Sequence, residues 1–286
     1  MEKRTVGRDI LFSGVGVHSG QLVDLRLVPS SSGEVVFRRA DLGNMELRID
    51  PKKIEARNCS ALVAAECKIQ TIEHLMAALF IFGIESVLIE LNGGEIPAMD
   101  GSAASFAQAI REAGVRPVTG RKKSIKILEP ITIYEKGASI LCYPDSDFRV
   151  SYFIEYPHPA IGRQELTVAL TLDNFISGIA PARTFGFLKE VESLRGKGLT
   201  LGGSLENAIV LDDLRVMNPP LRFADEFVRH KILDLIGDFS LLGHPLIGHI
   251  RAHKAGHALH LKTVNYLLDN PELWEFEEEA FPSYLK

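Results

Sequence analysis

The sequence predicts an α+β protein built in two successive halves. Three observations predict it. The composition, 286 residues with 46% hydrophobic and 24% charged, is globular and excludes disorder, collagen-like repeats and coiled coils. Each half runs several short strands and then a helix, a strand and a second helix. Between the halves lies a linker-like segment, residues 114–123, with Gly114, Pro117 and Gly120 followed by Arg121, Lys122 and Lys123. The expected domains are residues 1–118 and 124–286. A distant duplication would account for the parallel order, although no identity between the halves and no short-period repeat is evident.

The elements follow in order. Residues 5–17 alternate around glycines. Val23, Leu25 and Leu27 alternate with Asp24 and Arg26, which marks a half-buried strand over 22–28. A serine-rich turn at 30–33 leads to a strand at 35–38. A helix is expected over 71–83, a strand over 86–91 and a turn at 92–94. A second helix covers 103–113, with Ser102 as its N-cap. Strands are then expected at 125–128, 131–134, 139–143, 148–156 and 165–172. A helix over 184–195 and a short strand at 208–211 precede a long helix over 223–242. A strand at 247–252 and a last helix over 256–268 close the pattern, and residues 272–286 form an acidic tail.

Lys and Arg number 32 against 37 Asp and Glu, a net charge of −5. The basic excess of a general nucleic-acid binder is missing. Cys59, Cys67 and Cys142 form no C-x-x-C pair, and a sparse, odd count suits reduced thiols in the cytoplasm. The first residues carry no apolar run of signal-peptide type. The longest apolar stretch, residues 75–84, is too short to span a bilayer. A soluble cytoplasmic protein is expected, and nothing here excludes a substrate that lives in a membrane.

Titratable groups sit oddly in three places. Glu73 and His74 occupy the first turn of a helix that is apolar on all sides, and buried ionisable groups must be paired or bind a metal. The structural alternative is a capping carboxylate and a satisfied core histidine. In the long helix, His230, Asp234 and Asp238 lie at four-residue intervals and form one stripe, opposite Ile232, Leu235, Ile236, Phe239 and Leu242. An imidazole and a carboxylate one turn apart can clasp one cation, and Asp238 can accept an imidazole N–H behind them. A solvated face with i,i+4 pairing is the alternative. His257 follows Gly256 in a turn between strand and helix, where a side chain can be presented at a cleft, although a surface histidine is the plainer reading. Together, two histidines and an aspartate suit a divalent metal with an open fourth position, Glu73 a base and His257 a proton donor. Those are the parts of metal-assisted hydrolysis.

Several motifs resemble one family. They are residues 14–20 (GVGVHSG), 71–75 (TIEHL), 94–102 (GEIPAMDGS), 182–186 (ARTFG), 202–207 (GGSLEN), 228–234 (VRHKILD), 237–238 (GD) and 254–258 (KAGHA). All are similar to the UDP-3-O-acyl-N-acetylglucosamine deacetylases, zinc amidases of lipid A synthesis, and occur in the family's order. The resemblance implies His74, His230 and Asp234 as zinc ligands, with Fe2+ as another ion for the same site. It implies Glu73 as general base, His257 as general acid, Thr184 as a hydrogen-bond donor to the tetrahedral intermediate and Asp238 as support for the acid histidine. Lys231 and Gly256 fall in the substrate-binding set. Residues 179–210 match an insert forming an acyl-chain passage, in which Phe185, Phe187, Leu188, Val191 and Leu199 would be wall; ordinary core is the alternative for each. The implied fold is a two-domain sandwich, with helices packed between two sheets and the site at the interface. One departure is visible. Many members carry a cysteine where Ala61 stands, which puts a second, inhibitory zinc in doubt.

The expected reaction is zinc-dependent N-deacetylation of an amphiphilic UDP-sugar by a monomer, with no nucleic-acid partner and no membrane contact beyond a transient one at the surface. Two histidines and a carboxylate also make the facial triad of non-haem Fe(II) oxygenases. A non-catalytic nucleotide-lipid binder is the third reading.

Overall fold

The computed structural model describes residues 1–64, 67–196 and 198–286. The first part of the chain forms β1 (Glu2–Val6), β2 (Ile10–Val15), β3 (Leu22–Pro29), β4 (Val35–Arg39), β5 (Met45–Arg48), β6 (Ile54–Ala56), β7 (Ser60–Ala64), β8 (Cys67–Ile69), α1 (Glu73–Ile81), β9 (Val87–Leu91), α2 (Ala104–Ala113) and β10 (Val115–Arg121). The remainder forms β11 (Ser124–Ile127), β12 (Ile131–Glu135), β13 (Ala138–Tyr143), β14 (Phe148–Tyr156), β15 (Gly162–Ala169) and the short α3 (Leu172–Asn174). These are followed by β16 (Phe185–Phe187), α4 (Leu188–Arg195), β17 (Ile209–Leu211), α5 (Glu226–Phe239), β18 (Leu246–His253), α6 (His257–Asp269) and β19 (Trp274–Glu277).

Two mixed sheets organise these elements, as the α+β reading expects. One has the order β2-β3-β9-β4-β5, with β4 parallel to β9 and the other pairs antiparallel. The other has seven strands around β18, which pairs antiparallel with β13 and parallel with β14 and β11. The helices fill the space between. α2 lies on β2, where Phe12 and Phe106 meet edge-on at 5.0 Å. α1 packs on α2 and on α5, α5 lies on β14 and β15, and α6 lies on β12 and β13. α1 and α5 are therefore covered on nearly every face, and the apolar sequence of α1 reflects this.

Three segments differ from the expectation. Residues 115–121 form β10, which pairs antiparallel with β1, and not a loop. Nearly every side chain of β10 is exposed, so backbone pairing alone holds it and no hydrophobic alternation announces it. Nor is its basic end all solvated: Lys122 is buried, bonds the Gly83 carbonyl at 2.7 Å and pairs with Glu85 at 3.1 Å. Residues 184–195 divide into β16 and α4, because β16 pairs in parallel with β17. The acidic tail contains an edge strand, β19, antiparallel to β11. At α2 the expected cap is displaced: the helix begins one residue later, Ala103 holds the N-cap position without a side-chain bond, and Ser102, one residue before it, accepts the Ala104 N–H on its Oγ at 3.2 Å.

Candidate active site

Close approach of α1 and α5 builds the site. At Gly237 a Cβ would stand 2.1 Å from the Glu73 carbonyl oxygen, so only glycine lets α5 cross the first turn of α1 at this distance. That crossing sets His74 against His230, ring centroids 5.0 Å apart and nearly perpendicular. Gly237→Ala is expected to lower both stability and metal affinity. The clash of about 1–3 kcal/mol outweighs the helix propensity gained, about 1 kcal/mol. A melting temperature at or above the parent's, with metal retained, would count against this packing.

His74, His230 and Asp234 each offer one ligand atom, all within 4.8 Å of one another and all buried. His230 Nε2 is 3.3 Å and His74 Nε2 3.5 Å from the same oxygen, Asp234 Oδ1. His230 Nδ1 lies 3.0 Å from the Ala182 carbonyl, which requires the proton at Nδ1 and leaves the Nε2 lone pair facing the cluster. Burial, against the opposing charge of Asp234, lowers His230 to about 4, so its ring is neutral at pH 7. Burial would raise Asp234, but His230, Lys231 and His257 hold it well below the ordinary range. Two imidazoles and one carboxylate converging on a point fit a divalent cation.

Glu73 and His257 face this cluster from two sides. His257 Nε2 is 4.0 Å from Glu73 Oε1 and 3.8 Å from Asp234 Oδ2. Burial raises Glu73 above the usual carboxylate range, against the pull of His257 and His74. Burial would lower His257, but Asp238, then Asp234, then Glu73 outweigh it and raise it to about 9. Asp238 Oδ2 accepts from His257 Nδ1 at 2.7 Å, as the stripe reading expects. Asp238 itself is held at about 2, because His257 and His260 outweigh its burial. A carboxylate tending to hold its proton and an imidazole tending to keep one thus stand beside the His74–His230–Asp234 cluster.

The model of the UDP-3-O-acyl N-acetylglycosamine deacetylase family matches residues 3–269. The chain belongs to this family. The UDP-3-O-acyl-N-acetylglucosamine deacetylase of Citrifermentans bemidjiense is 42% identical over 98% of this chain and 94% of its own length. Proteins of the same name from Nitratidesulfovibrio vulgaris (44%, covering 96% and 90%) and Chromobacterium violaceum (42%, covering 96% and 92%) are similarly close. These names support neither an oxygenase nor a non-catalytic binder.

Within this deacetylase-family chain, the other expected residues are placed unevenly. Thr184 is fixed by its backbone, which donates to Gly101 at 2.8 Å and accepts from Ile209 at 2.7 Å, two residues beyond the Ala182 carbonyl that holds His230. Gly101 is needed there: its φ is +82°, and a Cβ would sit 2.1 Å from the Asn207 carbonyl oxygen. Lys231 Nζ bonds Asp234 Oδ2 at 2.9 Å and lies 5.7 Å from the Phe185 ring centroid. Phe185 stands 6.3 Å from the His230 ring and packs on Phe227; Phe187 packs on Tyr156 and His158. Both join the core, whereas among the described residues Leu188, Val191 and Leu199 do not, and Leu188 is 44% exposed. Gly256 is extended and caps α6, and a Cβ there would meet only open space.

Sequence reasoning passed over several groups. Glu226, fully buried, receives Arg183 Nε at 2.8 Å and the Arg222 N–H at 2.6 Å, tying residues 182–184 to the start of α5. Glu95 receives the His18 and Ser19 N–H groups and the Thr71 hydroxyl, so residues 16–19 brace the entry to α1. Ser60 and His260 bond Asp238, and Tyr152 stands behind His260. An adjacent Arg183 and Glu226 across 43 residues leave no periodic trace.

Proposed function

We propose that this site removes the N-acetyl group of UDP-3-O-acyl-N-acetylglucosamine, giving acetate and the free 2-amino sugar nucleotide, a step of lipid A synthesis. The observation that carries the reading is the approach of Glu73 Oε1 and His257 Nε2 to 4.0 Å beside the His74–His230–Asp234 cluster. The first domain, residues 1–118, supplies Glu73 and His74; the second, residues 124–286, supplies the rest.

The donor set suits Zn2+ and accepts Fe2+. When bound, zinc supplies a Lewis acid that polarises the acetamide carbonyl and acidifies water. Glu73 removes the proton of the attacking water. The Thr184 hydroxyl donates to the oxyanion that develops. His257 delivers a proton to the leaving nitrogen, because an amine leaves poorly without one. Lys231, with 18% of its side chain exposed, neutralises the second oxygen of Asp234 and presents positive charge to an anionic substrate. Open space above Gly256 gives the sugar a close approach. Ala61 is buried and carries no donor atom, so it offers no ligand to a second ion; burial and Glu73 push the nearby Cys59 thiol up to about 12.

The passage reading for residues 179–210 gains from the apolar side chains that the core leaves out. An open pocket of about 230 Å³ lies beside Phe187, Leu188 and Leu211, with Lys189, Asp212 and Asp213 at its other side. Leu188→Asp or Val191→Asp is expected to weaken the acylated substrate about 10–100-fold while UDP binding changes little, since only the acyl chain needs an apolar wall. Equal losses for both ligands would remove those residues from the passage. The chain works as a cytoplasmic monomer with an amphiphilic substrate, in transient contact with the membrane surface; among the described residues no helix is long and apolar enough to cross a membrane. Acetate release from the acylated sugar nucleotide by zinc-loaded protein tests the reaction, and its absence would refute it.

A further inference from the structure

We propose that Ser60 and His260 are positioning residues that clamp the Asp238 carboxylate behind His257. This rests on the deacetylase reading, which gives His257 the proton-donating role.

Asp238 is fully buried and takes three donors from two other elements. Its Oδ2 accepts from Nδ1 of His257 and from Nδ1 of His260, each at 2.7 Å; its Oδ1 accepts from the Ser60 hydroxyl. His257 and His260 are three residues apart on α6 and so share a face, which lets one oxygen serve both. A carboxylate torsion is soft by itself. Ser60 from β7 on one oxygen and His260 on the other leave it a single orientation.

Behind His260 the contacts close into a ring. With its Nδ1–H committed to Asp238, the neutral His260 ring has a lone pair at Nε2, 3.1 Å from the Tyr152 hydroxyl. The same hydroxyl lies 2.8 Å from the carbonyl of Ala255, two residues before His257. The single Tyr152 proton serves one of these two acceptors at a time, and the Tyr152 hydroxyl sits between the histidine that holds Asp238 and the backbone that delivers His257. Ser60 adds a link to the base: its N–H donates to Glu73 Oε2 at 3.1 Å while its hydroxyl donates to Asp238. One residue of β7 therefore sets the spacing between the base and the support of the acid. Displacements near 1 Å cost rate without touching the chemistry.

A double-mutant cycle on zinc-loaded protein separates positioning from mere packing. Ser60→Ala and His260→Phe are each expected to lower kcat roughly 10–100-fold. His260→Asn, which puts an amide N–H near the place of Nδ1, should recover most of that. Combined with His257→Gln, the same changes should cost less than about twofold, because the group they position is gone. Losses of equal size in both backgrounds, or none in either, would overturn the clamp. Should His260→Phe fail to fold, Ser60→Ala, which removes one oxygen, decides alone. A readout independent of turnover is the spectrum of 15N-histidine-labelled protein. His260 should appear as a neutral Nδ1–H tautomer and protonated His257 with a downfield Nδ1 proton, and Ser60→Ala should move both Nδ1 signals. Unmoved signals refute the clamp. A parent protein that releases no acetate refutes the deacetylase reading instead and leaves the spectra to decide the clamp.

Discussion

Alanine at His74, His230 or Asp234 should abolish metal binding and activity together. A three-ligand site has no spare donor, because its remaining position must stay open for water or substrate. Asp234→Ala should also lower stability the most of the three. It strips the charge partner from Lys231, and breaking a buried ion pair costs about 3–5 kcal/mol. His230→Ala leaves the Ala182 carbonyl without its donor, a smaller loss of about 1–3 kcal/mol. Elemental analysis checks the set: a full equivalent of zinc in all three variants would refute these ligands.

Glu73→Ala and His257→Ala should keep the metal and each lose about 10²–10⁴-fold in rate, the usual worth of a positioned base or acid. The pH profile of kcat/KM should be bell-shaped. Glu73 must be deprotonated to act, so the rate rises as pH rises through its raised value. His257 must be protonated, so the rate falls as pH rises through a value of about 9 in the metal-free protein. A bound dication disfavours both protonated imidazole and protonated carboxylate, so it moves each limb to lower pH. The two groups are 4.0 Å apart and titrate as a pair. His257→Ala should flatten the basic limb alone. An unchanged bell with near-full activity would return His257 to an ordinary histidine.

The site was legible in the sequence where chemistry departs from local pattern. α1 is apolar except for Glu73 and His74, and that conflict marked them at once. α5 carries His230, Asp234 and Asp238 at four-residue spacing, and its stripe turns out to face α1 instead of solvent, so all of the helix but Arg229 and Lys231 is buried. Groups that act through the backbone or across distant segments left no such mark. The Ala182 carbonyl has no side-chain signature, and Ser60 meets Asp238 across 178 residues. His260 was visible only as a third histidine near His257. The fold shows the same division. Long strands and helices with one buried face were readable, whereas β5 to β8 are each of three to five residues, too short for a period to emerge. β10 is exposed on both faces, so its pairing with β1 could not be read from hydrophobicity.

The most direct test of the central claim, that a metal held by His74, His230 and Asp234 works with Glu73 and His257 to release acetate, is a zinc titration of metal-stripped protein. Acetate release from UDP-3-O-acyl-N-acetylglucosamine should be absent after chelation and rise to a plateau at one zinc per chain. Glu73→Ala should bind the same equivalent and stay near background. Undiminished acetate release from the stripped parent, or a Glu73→Ala curve that follows the parent's, would contradict it.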